Sequence, residues 1–323
     1  MDRPICLDIA PFIDYFNSHS PASELPAELS DMCRQLMESF HHTGIVFVRD
    51  PRVNEQDNQD FIDVMQRFYT ELAAKAESEP DGKPLSEGRI LWCVKSDGDP
   101  VDFPNWFPEN IPEFKERLDK WGATLLSSLK TVTLMVERGL GIEPGTISSR
   151  FANANHMLNP SGFDLNLRGP GSVLTTIHYD MSFITVHGNS RFPVFTVWLR
   201  DGRTVDVEIP EGLLMFQAGM IFEYMTGGYA LAGHHIVTHS EKTAEVVERA
   251  RADGKSLWKI NSSMFGNIQQ DQTIELIPGL EHLYSASVAD TRAKYPTLSL
   301  NGFTRRESKA LTKMQAAYDS SRC

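Results

Sequence analysis

Two residues separated by a single position, His178 and Asp180, carry side chains that bind divalent transition metals. Two imidazoles and one carboxylate can occupy one face of an octahedral Fe(II) site and leave three positions open. The His-x-Asp spacing requires a strand that runs into a turn, so that the two side chains converge. The second histidine must come from a distant strand, and the downstream candidates are His187, His234, His235 and His239. Because neighbouring strand residues point to opposite faces, the adjacent His234 and His235 cannot both join the metal.

Composition places the chain among globular proteins and excludes several partner classes. Its 323 residues suffice for one large domain or two small ones, and 41% apolar with 23% charged residues fits a packed core. The net charge of −12 and the lack of a basic cluster predict no nucleic-acid partner. We expect no membrane segment and no signal peptide. The four scattered cysteines predict reduced thiols in a cytoplasmic protein, which we expect to be a monomer or a weak homodimer.

The spacing of apolar residues predicts the elements that must position these side chains. Helices are expected at 29–40, at 56–76 and from Pro112 onwards, with short strands at 5–14, 45–48 and 90–94. After residue 150 the chain becomes dense in strand-like segments, with one inserted helix at 243–252; these segments are 173–179, 182–187, 194–200, 204–209, 213–217 and 257–265. The last stretch returns to helix and loop.

This arrangement predicts a single domain over residues 1–323. The expected fold class is mainly β with flanking helices (α+β), built on a double-stranded β-helix, a jelly-roll or cupin-like core. Residues 1–150 are predicted to form a helical region that packs on the core. Residues 151–275 are predicted to form the jelly roll with the metal site, and residues 276–323 a C-terminal helix or lid.

Several segments resemble the isopenicillin-N-synthase-like branch of the iron(II)/2-oxoglutarate-dependent dioxygenases. In the first half they are "ICLDIAPFID" at 5–14 and "HTGIVFV" at 42–48. In the second half they are "IHYDMSFITV" at 177–186, "VEIPEGLLMFQAGMIFEYMTGG" at 207–228 and "AGHHIVT" at 232–238. The resemblance covers about residues 5–270 and implies the jelly-roll fold with a mononuclear non-haem iron.

The resemblance also implies which residues bind the metal and the co-substrate. Counting from the Thr-Gly-Gly turn at 226–228 to the family's histidine reaches His235, so the expected Fe(II) ligands are His178, Asp180 and His235. Where relatives carry Arg-x-Ser to hold the far carboxylate of 2-oxoglutarate, this chain has Lys259 and Asn261. A lysine pairs with a carboxylate as a point charge and an asparagine can donate a hydrogen bond. Arg191 is the alternative co-substrate anchor. The other histidines, His187 among them, are expected to have ordinary structural roles.

Residues that contact the substrate are predicted from position alone. Asn155 lies on the segment that carries co-substrate contacts in the family, and Trp92, Trp106 and Phe265 are candidate pocket residues. For these aromatic residues, simple core packing is an equal alternative.

The resemblance implies that the protein uses Fe(II), 2-oxoglutarate and O2 to hydroxylate, desaturate or cyclise a small molecule, expected to be an amino acid or a derivative of one. Two alternatives remain. The first is a 2-oxoglutarate-independent oxidative cyclase, which the Lys259 and Asn261 departures allow. The second is a non-catalytic barrel that binds a metal or a small molecule.

Overall fold

The structure is a computed structural model that describes residues 3–78, 87–88, 92–94, 105–152, 154–193 and 195–320. It is a mixed α/β structure with several sheets. The elements of the N-terminal part are β1 (Cys6–Asp8), α1 (Ala10–Phe16), α2 (Ala27–Thr43), β2 (Ile45–Arg49), α3 (Glu55–Ser78), β3 (Glu87–Gly88), β4 (Trp92–Val94), α4 (Phe114–Leu140) and α5 (Ser148–Ala152).

The predicted helices of the N-terminal part are confirmed, with small shifts at their ends. Helix α2 buries its periodic apolar face and ends at Gly44, whose φ of 71° favours glycine. Helix α4 lies between α2 and α3 and packs against both. The strand predicted over 5–14 is wrong in its second half, because Pro11 lies in the first turn of α1 and favours a helix start there.

The second half of the chain supplies most of the strands. They are β5 (His156–Leu158), β6 (Gly162–Asp164), β7 (Val173–His178), β8 (Ile184–His187), β9 (Phe195–Trp198), β10 (Thr204–Val207), β11 (Leu214–Ala218), β12 (His235–Thr238), β13 (Trp258–Ile260) and β14 (Ser263–Gly266), with helices α6 (Met220–Met225) and α7 (Glu241–Ala252) between them. After β14 come β15 (Thr273–Ile274), a 3-10 turn (Glu281–Leu283), α8 (Val288–Lys294), β16 (Leu298–Ser299) and α9 (Leu300–Ser320).

Two larger sheets face each other. One has seven strands in the order β1-β2-β11-β8-β14-β5-β4, and the other has four in the order β10-β9-β12-β7. Between them Ile45 and Met215 of the larger sheet pack on Val197 and Val207 of the smaller one. The rings of His187 on β8 and Phe195 on β9 also meet across the gap, with centroids 5.3 Å apart. The two facing sheets therefore enclose a common interior.

The segment 257–265, predicted as one strand, is two strands in different sheets. Strand β13 pairs with β6 in a three-stranded sheet with β3, whereas β14 joins the seven-stranded sheet. The chain bends between them because the Asn261 N–H donates to the carbonyl of Ser161, and the carbonyl of Ser262 accepts from the N–H of Gly188. This bend separates Lys259 on β13 from Ser263 on β14.

The C-terminal part closes over the four-stranded sheet. Helix α9 packs on β7, and one hydrophobic cluster extends from Leu7 through α2, α3, α4 and the seven-stranded sheet to Phe303 on α9. The inserted helix α7 begins with a capping box, in which Ser240 and Thr243 each accept from the other's main-chain N–H. In the described part of the chain, every helix is too short or too polar to cross a membrane.

Candidate metal and co-substrate site

The three predicted metal ligands come together at one end of the interior. One donor atom from each of His178, Asp180 and His235 lies within 4.8 Å of the other two. The Nε2 atom of His178 is 3.9 Å from Oδ1 of Asp180, and the two imidazole ring centroids are 4.0 Å apart. His178 and His235 are directly opposite each other in the antiparallel pair β7–β12. Two nitrogens and one carboxylate oxygen at this spacing match the donor set of a non-haem Fe(II) site.

Each ligand side chain makes a hydrogen bond through the atom that faces away from the metal position, and this bond orients the side chain. Nδ1 of His178 donates to the carbonyl of Thr176 at 2.9 Å, and Nδ1 of His235 donates to the carbonyl of Gly233 at 2.9 Å. These bonds leave Nε2 of both rings as the free donor atom. Oδ2 of Asp180 accepts from the hydroxyl of Thr185 at 2.6 Å, which leaves Oδ1 for the metal. Burial holds the pKa of His235 well below its ordinary value, so this imidazole is neutral, as a metal ligand must be.

The turn that carries Asp180 is held by a close main-chain approach. The carbonyl of Asp180 accepts from the N–H of Met220 at 2.8 Å, and the carbonyl of Ser182 faces Gly219. A Cβ at position 219 would lie 1.9 Å from that carbonyl oxygen, so only glycine fits there. The start of α6 therefore fixes the position of the carboxylate.

His234, the alternative to His235, lies on the other side of the strand. Its Nδ1 is hydrogen-bonded to the carbonyl of Ala232, and its ring meets the edge of Tyr179 at 5.0 Å. Within the described ranges the group of possible metal ligands consists of His178, Asp180 and His235 alone. The expected alternation along the strand thus separates the two histidines.

Lys259 and Asn261 lie together beside the same interior. Lys259 is completely buried, and its ammonium donates to Oδ1 of Asn261. Its nitrogen lies 5.8 Å from the ring centre of Phe163 and 5.9 Å from that of Phe195. Among the described residues no carboxylate lies within 4.0 Å of it, and burial lowers the pKa of Lys259 to about 7. A buried cation without an anionic partner is the group that a ligand carboxylate would stabilise.

Arg191 lies elsewhere. Its guanidinium forms an ion pair with Asp63 at 2.7 Å and donates to the side-chain oxygens of Gln59 and Gln66, all on α3. It is absent from the described residues that line the interior cavity. The contacts of Arg191 tie the loop after β8 to the N-terminal helices.

A cavity of about 710 Å³ opens above the three metal-ligating side chains. Asn155 and Phe265 line it, as do Asn261 and His187. Trp106 does not: its side chain is 62% exposed and its ring packs against Phe68. Trp92 belongs to β4, but its side chain lies outside the described residues.

Solved structures provide the match to known proteins, since neither a family model nor a curated protein matches this sequence. A 2OG-Fe(II) oxygenase family protein from Caulobacter crescentus superposes with a TM-score of 0.68 at 15% identity, covering 96% of this chain and 99% of the other. A full-length Neurospora crassa protein, solved in complex with 2-oxoglutarate and thymine, gives 0.69 at 15% identity over 95% and 97% of the two chains. The rice dioxygenase for auxin oxidation gives 0.65 at 14% identity over 95% and 96%. The chain has the fold of the 2OG-Fe(II) oxygenases.

Within this oxygenase fold, sequence reasoning missed a polar group behind the ligands. His187, expected to be an ordinary histidine, lines the cavity; its Nδ1 is 2.8 Å from the hydroxyl of Ser263, and its Nε2 is 3.1 Å from Oε1 of Gln217. The other end of the fully buried Gln217 amide donates to the carbonyl of Gly233, beside His235. Burial lowers the pKa of His187 to about 4, so it is neutral. The position of His187 two residues after Thr185 on one strand was the available signal, because both side chains then share a face.

A second missed contact joins the metal-binding turn to the C-terminal helix. The hydroxyl of Tyr179, between the two ligands His178 and Asp180, donates to Oε2 of Glu307 at 2.8 Å. Both side chains are buried. Gln315, further along α9, donates to the carbonyl of Ile177 at 3.2 Å. Helix α9 is thus attached to the chain on either side of His178, at Ile177 and at Tyr179.

Proposed function

We propose that this chain is an Fe(II)- and 2-oxoglutarate-dependent oxygenase that acts on a small molecule. The observation that carries the proposal is the convergence of one donor atom each from His178, Asp180 and His235 within 4.8 Å at the base of a cavity. The fold shared with 2OG-Fe(II) oxygenases supports it. We also propose that the two facing sheets form a double-stranded β-helix within a single domain. The isopenicillin-N-synthase-like branch stays a prediction.

The donor set suits iron, so His178, Asp180 and His235 would hold it. When bound, Fe(II) with a 2-oxo acid activates O2 for the oxidation of a substrate C–H bond. The protein orients the ligands through the Thr176 and Gly233 carbonyls and the Thr185 hydroxyl.

We assign the far carboxylate of 2-oxoglutarate to Lys259. Its ammonium is protonated below about pH 7, lies next to the cavity-lining Asn261 and lacks a carboxylate within 4.0 Å in the described parts of the chain. Arg191 already pairs with Asp63, which favours Lys259 over it. An unpaired buried cation also favours a 2-oxoglutarate-dependent enzyme over an oxidative cyclase, which has no need of such a charge.

A titration of the anaerobic Fe(II)-loaded protein with 2-oxoglutarate tests the proposal. We expect a visible charge-transfer absorption band that saturates with one equivalent of the keto acid. On admission of O2 and a substrate panel, labelled 2-oxoglutarate should release CO2. Substrate oxidation without that band would support the oxidative cyclase. A protein that binds Fe(II) but shows neither the band nor oxidation would be a metal-binding barrel, and the proposal would be wrong.

A further inference from the structure

The described lining of the cavity is nearly free of charged side chains. Asp180 is its only carboxylate, and it contains neither lysine nor arginine. The histidines are the two ligand imidazoles and the neutral His187. A buried ammonium next to this lining is that of Lys259, which donates to the cavity-lining Asn261 and which the proposed function assigns to 2-oxoglutarate. Once the metal and the keto acid are bound, the described walls offer a substrate no ionic partner.

The wall formed by α9 and the segment 265–270 combines apolar and carboxamide groups. Its apolar side chains include Phe265, Ile268 and Leu311. Its carboxamides are Asn267, Gln270 and Gln315.

Two of these carboxamides are held in place by the main chain. Asn267 donates through Nδ2 to the carbonyl of Asn155 at 2.9 Å, and Gln315 donates through Nε2 to the carbonyl of Ile177. These bonds orient the amides, whose oxygens can accept hydrogen bonds from a ligand.

Such walls discriminate by charge. A zwitterionic amino acid would leave water with its carboxylate and its ammonium unpaired, and burial of unpaired charges against such walls is unfavourable. A neutral ligand loses little, because carboxamides replace the hydrogen bonds that its N–H and C=O groups made with water. Of the two expected substrate types, an amino acid or a derivative of one, the described walls therefore disfavour the free amino acid.

We propose that the substrate is an uncharged small molecule that carries both hydrogen-bond donors and acceptors, rather than a free amino acid. This inference rests on the proposed function, because it assigns Lys259 to the co-substrate. It predicts selection against charge at the part of the substrate that contacts α9 and the segment 265–270.

Matched pairs test the inference directly. Free amino acids and their N-acetyl amides share a side chain and differ in charge. Each compound is titrated into protein loaded with Mn(II) and 2-oxoglutarate, and binding near the metal is detected from paramagnetic relaxation of the ligand's NMR signals. We expect the neutral member to bind on the order of 100-fold more tightly within a pair. Equal or tighter binding of the free amino acids, or no neutral member that binds near the metal, would overturn the inference.

The absorption titration of the Fe(II) protein separates this inference from the proposed function. If the Fe(II) protein fails to bind 2-oxoglutarate in the absorption titration, the proposed function fails. If 2-oxoglutarate binds and the charged members are preferred, only the inference about the substrate fails.

A charge placed in the wall provides a second test. Gln315→Glu adds a carboxylate to the cavity, and Gln56→Glu adds one to the exposed surface of α3. We expect the first variant to bind the best neutral ligand on the order of tenfold more weakly and the second to bind it as the wild type does. The affinity for 2-oxoglutarate serves as the check that both variants fold. Unchanged neutral-ligand affinity in a folded Gln315→Glu variant would contradict the assignment of this wall to the substrate.

Discussion

The metal-binding end of the cavity and the Lys259 end differ in how far the protein satisfies its own polar groups. At the metal-binding end, each ligand has a protein partner on the side away from the metal position, namely the carbonyls of Thr176 and Gly233 and the hydroxyl of Thr185. At the other end, a buried ammonium has one amide oxygen and two aromatic rings around it.

The two ends therefore depend on bound ligands in different ways. The metal-binding end is organised by the protein and needs only the ion. The Lys259 end is electrostatically incomplete until an anion arrives, because burial of an unpaired ammonium is unfavourable. Removal of the Lys259 charge should therefore stabilise the ligand-free protein, whereas changes at the metal-binding end should weaken Fe(II) binding.

The largest effect is expected from removal of a metal ligand. His235→Ala should lower Fe(II) affinity by more than about 100-fold and abolish 2-oxoglutarate turnover, since an open site with two ligands holds iron weakly. Metal content after dialysis and CO2 release are the measurements. His234→Ala is the matched control, because its ring lies on the other side of the strand, and it should retain both. Equal losses in the two variants would contradict the ligand assignment.

The next effect concerns the co-substrate anchor. Lys259→Met should weaken 2-oxoglutarate binding by about 100-fold, because the far carboxylate loses a buried charge partner. Fe(II) affinity should stay the same. The exposed Lys255, on the loop before β13, supplies the control variant Lys255→Met, which should bind 2-oxoglutarate normally. Normal binding by Lys259→Met would show that another cation is the anchor.

The same substitution should stabilise the ligand-free protein. Burial lowers the pKa of Lys259 to about 7, so below pH 7 the folded state buries an ammonium that the unfolded chain exposes to water. Between pH 7 and about 10.4 the unfolded chain binds the extra proton, and wild-type stability from this group therefore rises with pH. Lys259→Met should raise the free energy of unfolding by about 1–4 kcal/mol at pH 6 and by less at pH 9. Denaturant titrations at both pH values measure this, and a destabilised variant at pH 6 would contradict the account.

A smaller effect is expected from pH itself. Since the carboxylate binds the protonated ammonium, 2-oxoglutarate affinity should fall above pH 7 by up to about tenfold per pH unit. The keto acid 2-oxobutanoate lacks the far carboxylate and should not show this fall. Parallel pH dependences of the two compounds would place the titrating group at the metal end instead.

The smallest effect should come from the contact between α9 and the metal-binding turn. Tyr179→Phe removes the hydrogen bond to Glu307 and should lower Fe(II) affinity by about 3- to 10-fold. The distant Tyr15 gives the control Tyr15→Phe, which should leave the metal affinity unchanged. An unaltered metal affinity in Tyr179→Phe would show that α9 does not position the ligands.

Local patterns in the sequence predicted most elements and the types of residue that could bind iron. Helical spacing predicted α2, α3 and α4, strand-like composition predicted β7, β8, β9 and β11, and alternation predicted β10, because these patterns are local properties of the chain. The His-x-Asp spacing and the quoted segments were enough to predict the ligand set. The sequence did not predict that 257–265 forms two strands, because main-chain hydrogen bonds to distant segments bend the chain there. It also did not predict the helix that starts after Asp8, with Pro11 in its first turn.

The surroundings of those residues depend on the tertiary structure. It separated His235 from His234, buried Lys259 without an acidic partner in the described residues, and paired Arg191 with Asp63. It also placed His187 against Gln217, and it brought Glu307 to Tyr179 from α9, an element that carries no motif. Burial and pairing depend on which distant strands and helices meet, and a linear spacing contains no information about those contacts.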